Sequence, residues 1–199
     1  DERLTEVFVD RGRVHFALGQ PDEGLKAFDR ALEVGSDRAD TYVDVLAFLT
    51  PRGYLEQVVA VYHQALARPG QQVSEYFKVY ASFWVLDLLQ RRGLPPDGLA
   101  VGYLEALDGT RWYHELARFV LGRKSFTDLS GRADAPGKRA ELLFYEAMRQ
   151  LAAGDTPGAT ALWRQVVATG MLGYFEYDMA VYYLRHGAPR EPPPTARPT

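Results

Sequence analysis

The chain has 199 residues, 47% of them hydrophobic and 25% charged, which is the balance of one globular domain with a core of its own. Its formal net charge is -3 and its 19 Arg and 4 Lys are spread among 26 acids, so nothing favours nucleic acid or an anionic membrane surface as partner. There is no Cys, which excludes disulfides, thiol catalysis and cysteine metal sites.

Along the chain the period is helical. Leu4, Val7, Phe8, Arg11, His15 and Leu18 recur at spacings of three and four, as do Leu25, Phe28 and Leu32, and this predicts a pair of amphipathic helices. The break between them reads "LGQPD": Gly19 can close one helix in the left-handed conformation and Pro21 suits the first turn of the next. A second pair follows, with Tyr42, Leu46 and Leu49 before the break "TPRGY" and Leu55, Val58, Tyr62 and Leu66 after it. The stretch "YFKVYASFWVLDLL", 76 to 89, is the most hydrophobic. Lys78 and Asp87 interrupt it, so it predicts a buried helix of about 74 to 91 rather than a membrane span. A helix of about 97 to 107 comes next, then an unpaired one over 110 to 122 and an irregular stretch, "RKSFTDLSGRADAPG". A last pair covers about 138 to 153 and 157 to 169, a closing helix 174 to 186. Residues 187–199 hold five prolines and no large apolar residue, and are expected to be extended and disordered. No alternating apolar pattern argues for a sheet, so the fold class is all-α.

The units repeat. Shifting Phe8, Gly19, Phe28 and Ala31 by 34 residues gives Tyr42, Gly53, Tyr62 and Ala65, and "GQPDEGLKAFDRAL" at 19 to 32 returns as "GDTPGATALWRQVV" at 154 to 167. The copy keeps the turn, the small residue (Gly24, then Ala159) and the aromatic (Phe28, then Trp163), but loses the acids. Packing geometry is what is repeated. A 34-residue period of helix pairs is the tetratricopeptide signature, in which stacked neighbours share one core.

On these residues the chain resembles tetratricopeptide repeat proteins, with repeats at about 5–38, 39–72, 73–107 and 139–170 in one domain over 1–186. The stretch "WYHELARFVLGRKSF" with "ELLFYEAMRQLAAGDTPGATALWRQVVATGMLGYFEYDMAVYYL" looks like the C-terminal part of NlpI-like lipoproteins of the bacterial envelope. The resemblance implies a right-handed superhelical stack of antiparallel helix pairs, acting as a non-enzymatic scaffold that binds a peptide or protein in a concave groove. The inward positions that it implies are Val9, Arg13 and Phe16, then Val43 and Ala47, then Phe77, Ala81 and Trp84, then Phe144 and Met148. For Phe16, Phe77 and Trp84 packing between helices is the competing role, and exposure decides between the two. With no Asn in the chain, the Asn and Lys clamp that holds a C-terminal carboxylate in chaperone-binding repeats is not expected.

Motifs for chemistry are missing. In "HELAR", His114 and Glu115 would begin a zinc helix, but Arg118 stands where the second His belongs. The remaining His are scattered, and no phosphate loop, dinucleotide fingerprint or nucleophile elbow occurs. Glu141 with Glu146, and Glu176 with Asp178, read as solvated or salt-bridged helix faces. No metal or other cofactor is expected. The alternative to an adaptor is a structural subunit of a permanent assembly or a homo-oligomer, with a large apolar patch on the helix 110–122. A third reading, an enzyme or small-ligand protein, would use the space between 110, 138 and the last repeat and needs a deep polar pocket. A chain opening at Asp1 reads as trimmed or processed, so localisation follows the resemblance: periplasmic or outer-membrane-associated if NlpI-like, otherwise cytoplasmic.

Overall fold

A computed structural model describes residues 2–70 and 72–188; the expected disordered tail, apart from Gly187 and Ala188, lies outside the described residues. Among the described residues the chain is helical throughout, with eleven α-helices, one 3-10 turn and no strand. They form two compact units, and the boundary between Ala81 and Ser82 falls inside the fifth helix.

The N-terminal unit contains α1 (Glu2–Ala17), α2 (Pro21–Val34), α3 (Ala39–Leu49), α4 (Leu55–Leu66) and the first turns of α5 (Glu75–Arg91). Gly19 takes φ 72° and ends α1, and Pro21 opens α2 where a missing N–H costs no helical bond. Two glycines let α1 and α2 approach. A Cβ on Gly12 would stand 2.5 Å from the Phe28 ring, and one on Gly24 would stand 2.5 Å from Phe16. Phe16, Phe28, Phe48 and Tyr54 then gather with ring centroids 5.1 to 5.7 Å apart and join the first two helix pairs. Lys78, which interrupts the apolar run of α5, is buried. Its ammonium donates to the carbonyls of Leu66 (3.0 Å) and Arg68 at the end of α4, where helix carbonyls lack partners.

One expectation is corrected in α1. Leu4, Val7 and Leu18 belong to the apolar stripe read from the sequence, yet they are exposed, and Thr5, Val9 and Gly12 are buried in their place. The helix is apolar on two faces, and the bare backbone at Gly12 selects the face on which Phe28 can dock.

The C-terminal unit takes the rest of α5 with α6 (Gly98–Glu105), α7 (Trp112–Val120), α8 (Phe126–Ser130), α9 (Pro136–Ala152), α10 (Thr156–Ala168) and α11 (Phe175–His186). α9 packs on α10 and α11, and α7 and α8 lie against α9. The repeated turn is reproduced: Gly154 takes φ 91°, and Asp155 caps α10 by accepting from the Gly158 N–H at 2.9 Å. Ala159 and Trp163 are buried in α10 as Gly24 and Phe28 are in α2. The stretch expected to be irregular contains α8. Ser125 Oγ accepts from the Asp128 N–H at 3.2 Å while the Asp128 carboxylate accepts from the Ser125 N–H at 2.7 Å, a reciprocal capping box.

Candidate functional site

The inward positions implied by the repeat resemblance are mostly interior. Val9, Phe77, Ala81, Trp84, Phe144 and Met148 are buried, Phe16, Val43 and Ala47 are half-buried, and Arg13 alone of the ten is exposed. Arg13 bonds Asp44 at 2.7 Å and Asp10 at 3.2 Å, which ties α1 to α3. Phe16 belongs to the aromatic cluster of the N-terminal unit. Trp84 is 1% exposed with its ring at right angles to Phe175, 5.3 Å away, and Phe144 stacks on Tyr183 at 6.2 Å. Exposure therefore assigns Phe77 and Trp84 to packing. The expected apolar patch on the 110–122 helix is absent as well, since Tyr113, Leu116, Ala117 and Phe119 of α7 are all buried.

A cleft opens instead within the C-terminal unit, between α5, α7 and α9. Its volume is about 300 Å³, with apolar walls from Phe83, Leu86, Phe119, Leu121 and Met148 and polar groups from Gln90 and Arg149. A second hollow of about 310 Å³ continues it toward Leu94, Pro96 and Val101. Leu86, Gln90, Val120 and Leu121 line both, so the two are compartments of one groove. Local sequence explains its walls. Leu86 and Gln90 lie one turn apart on α5, and Gly122 at φ 72° ends α7 so that Val120 and Leu121 form an edge. The Asp97 carboxylate caps α6 by accepting from the Ala100 N–H at 2.8 Å, which fixes the loop carrying Pro96.

The charges around the groove are held by neighbours. Asp87 on its wall receives Arg91 at 2.7 and 3.0 Å, and the fully buried Arg91 also reaches the Tyr183 hydroxyl at 3.4 Å. Burial pushes the Asp87 carboxyl up, partly opposed by Arg91, and burial likewise raises the Tyr183 phenol. At the rim Arg149 is exposed but oriented by two bonds of 2.7 Å to Glu146, so Gln90 is the shared amide able to both donate and accept.

The paired acids are not the solvated faces expected. Glu141 and Glu176, from α9 and α11, are 4% and 2% exposed. Trp112 Nε1 donates to Glu141 at 2.5 Å, and the Tyr145 hydroxyl donates to Glu176 at 2.8 Å. Burial and the adjacent Glu141 push Glu176 up to about 8. Of the four acids, Glu146 does form a salt bridge and Asp178 is exposed. The spacing along α9 signals a shared helix, but their encounter with α11 has no local signature.

"HELAR" has a structural role too. The His114 Nδ1 accepts from the Arg111 N–H at 3.2 Å, and Glu115, 4% exposed, gathers Arg118 (2.9 Å), Arg132 (3.1 Å) and Lys124. Burial raises the Glu115 carboxyl, but Lys124 and Arg132 outweigh it and hold it below its ordinary value. Glu115 thus fastens the chain on either side of α8 to α7. Among the described residues no group of three or more His, Asp or Glu is placed to hold a metal ion, and no helix is long and apolar enough to cross a membrane. No family model matches the chain, and no curated protein matches it.

Proposed function

We propose that the chain is a tetratricopeptide-like adaptor, a right-handed stack of helix pairs that binds a segment of another protein without catalysis or a cofactor. The observation that carries this reading is the two-compartment groove of the C-terminal unit. Two adjoining apolar hollows of about 300 and 310 Å³, with the Gln90 amide between them, suit a peptide that inserts two neighbouring apolar side chains. Gln90 can pair with the peptide backbone, and few residues need carry the affinity. The 34-residue spacing of the helix pairs supports the repeat assignment, and the NlpI-like resemblance of the second half is what supports a bacterial envelope as its setting.

The test is peptide display against the purified chain and its Leu94→Glu/Leu121→Glu variant, which puts a carboxylate in each compartment while altering only positions that are exposed or half-buried. The wild type should select peptides with two apolar residues close together, and the variant should lose them. Selection of the same peptides by both proteins, or of none by the wild type, overturns the proposal. Affinity purification from the native source with the same pair of proteins then identifies the partner.

A further inference from the structure

Glu115 gathers more positive charge than it can neutralise. One oxygen of its carboxylate accepts from Arg118 at 2.9 Å and Arg132 at 3.1 Å, and the other accepts from Lys124. The three cations come from α7, from the turn after it and from the chain just beyond α8, and three against one leaves a formal surplus of +2. Anchoring α8 needs only one of them. Crowding three like charges around one carboxylate costs repulsion, and a local cost of that kind is characteristic of functional sites.

The surplus faces water. The Arg118, Lys124 and Arg132 side chains are 32%, 31% and 50% exposed, and the Glu115 side chain beneath them only 5%. Arg118 also donates to the Gly109 carbonyl at 2.8 Å, whereas Glu115 is the one hydrogen-bond or ion-pair partner of the Lys124 and Arg132 side chains among the described residues. The nearby acids are engaged elsewhere. Asp128 accepts from the Ser125 N–H and hydroxyl at 2.7 Å and Asp134 pairs with Lys138 at 2.7 Å, so they act on Lys124 and Arg132 only through space. Residues 111–139 hold seven Arg and Lys against three Asp and Glu, a formal +4 in a chain whose total is -3.

We propose that Arg118, Lys124 and Arg132 form a binding site for a phosphate dianion, the free ion or the monoester of a phosphorylated side chain, with Glu115 holding the three heads together beneath it. The match is one of charge and of donors. A phosphate monoester carries about -1.5 to -2 at pH 7 and presents three free oxygens, one for each cation. Arg118 and Arg132 bring planar forks and Lys124 a point charge, the two ways in which proteins hold phosphate. Glu115 already demonstrates that the three heads converge on a single anionic group. A long polyanion fits less well, because the exposed Asp128 and Asp134 flank the cluster and would face its further phosphates. None of these residues lines the groove, so the site stands independently of the adaptor reading.

NMR titration of the ¹⁵N-labelled chain with N-acetyl-phosphoserine amide, inorganic phosphate and dimethyl phosphate at constant ionic strength tests this. The first two should bind saturably and shift the amides around 118, 124 and 132. Dimethyl phosphate, a monoanion with two free oxygens, should bind at least tenfold more weakly. Tighter binding of the phosphoserine amide assigns the site to a phosphorylated polypeptide, and tighter binding of inorganic phosphate assigns it to the free ion. Lys124→Ser and Arg132→Ser should each weaken binding about tenfold, with circular dichroism confirming that the helices remain. Arg123→Ser, which removes an exposed cation paired with Glu105 rather than Glu115, should change it less than twofold. The wild-type shifts locate the site without any substitution, so the test survives a variant that loses α8. Absence of saturable binding, shifts that map elsewhere, or equal binding of dimethyl phosphate overturns the proposal. An equal loss in Arg123→Ser, or tighter binding of a single-stranded oligonucleotide than of either phosphate dianion, overturns it too, by showing a diffuse basic surface in place of a site.

Discussion

Replacing Glu176 with Gln isolates the electrostatic cost of one buried carboxyl. The side chain is 2% exposed, accepts the Tyr145 hydroxyl, and is pushed from 4.5 up to about 8 by burial and by Glu141. In the unfolded chain the same group titrates near 4.5. Between those two values the folded protein holds a proton that the unfolded chain has released. Because the unfolded state then binds fewer protons, stability falls as pH rises, by on the order of 1 kcal/mol per pH unit and several kcal/mol over the window. Below the window both states are protonated and the slope vanishes; above it both are ionised and the full penalty persists. Gln is neutral throughout and retains an oxygen for Tyr145, so Glu176→Gln should lie within about 1 kcal/mol of the wild type near pH 5 and exceed it by several kcal/mol at pH 9. Urea unfolding followed by circular dichroism from pH 5 to 9 measures the difference directly. Asp87, also raised by burial, adds a slope of the same sign to both proteins and cancels. Parallel stability curves for the two proteins would refute the reasoning.

Three further substitutions probe the packing. Gly24→Ala places a Cβ 2.5 Å from the Phe16 ring and 3.1 Å from the Gly12 carbonyl; forcing α1 from α2 should cost about 2 kcal/mol in chemical denaturation. Trp84→Ala should cost about 3–5 kcal/mol, because it empties a site 1% exposed beside Phe175; a loss of peptide binding with unchanged melting temperature would instead place Trp84 in the binding surface. Glu115→Gln releases Arg118, Lys124 and Arg132. These cations are 31% to 50% exposed and water screens them, so the expected loss is about 1 kcal/mol. Its signature is faster amide exchange over α8, and unchanged exchange there would show that Glu115 does not anchor the segment.

Local information in the sequence was enough for the helices. Spacings of three and four, the positive-φ glycines at 19, 53 and 154 and Pro21 are signals that act within a few residues, and α1 to α7 and α9 to α11 lie close to where they place them. The helix α8 was legible too, in Ser125 and Asp128 three residues apart, but its five residues are too short for periodicity to register. The repeat of Gly24 and Phe28 as Ala159 and Trp163 told correctly which positions of α2 and α10 pack closely.

The candidate sites were legible only in fragments. Met148 was singled out and does line the groove, but the hollows depend on side chains from α5, α6, α7 and α9 that converge only when the C-terminal unit packs. Glu141 and Glu176 each look like ordinary helix-surface acids; they become a buried pair because α11 docks on α9, and separation along the chain hides that encounter. The sequence by itself determined an all-helical fold class, because helix propensity, period and turns are local properties. Tertiary structure decided which of the two apolar faces of α1 is buried, which acids lose water and where a groove remains open, because each depends on which distant surface arrives.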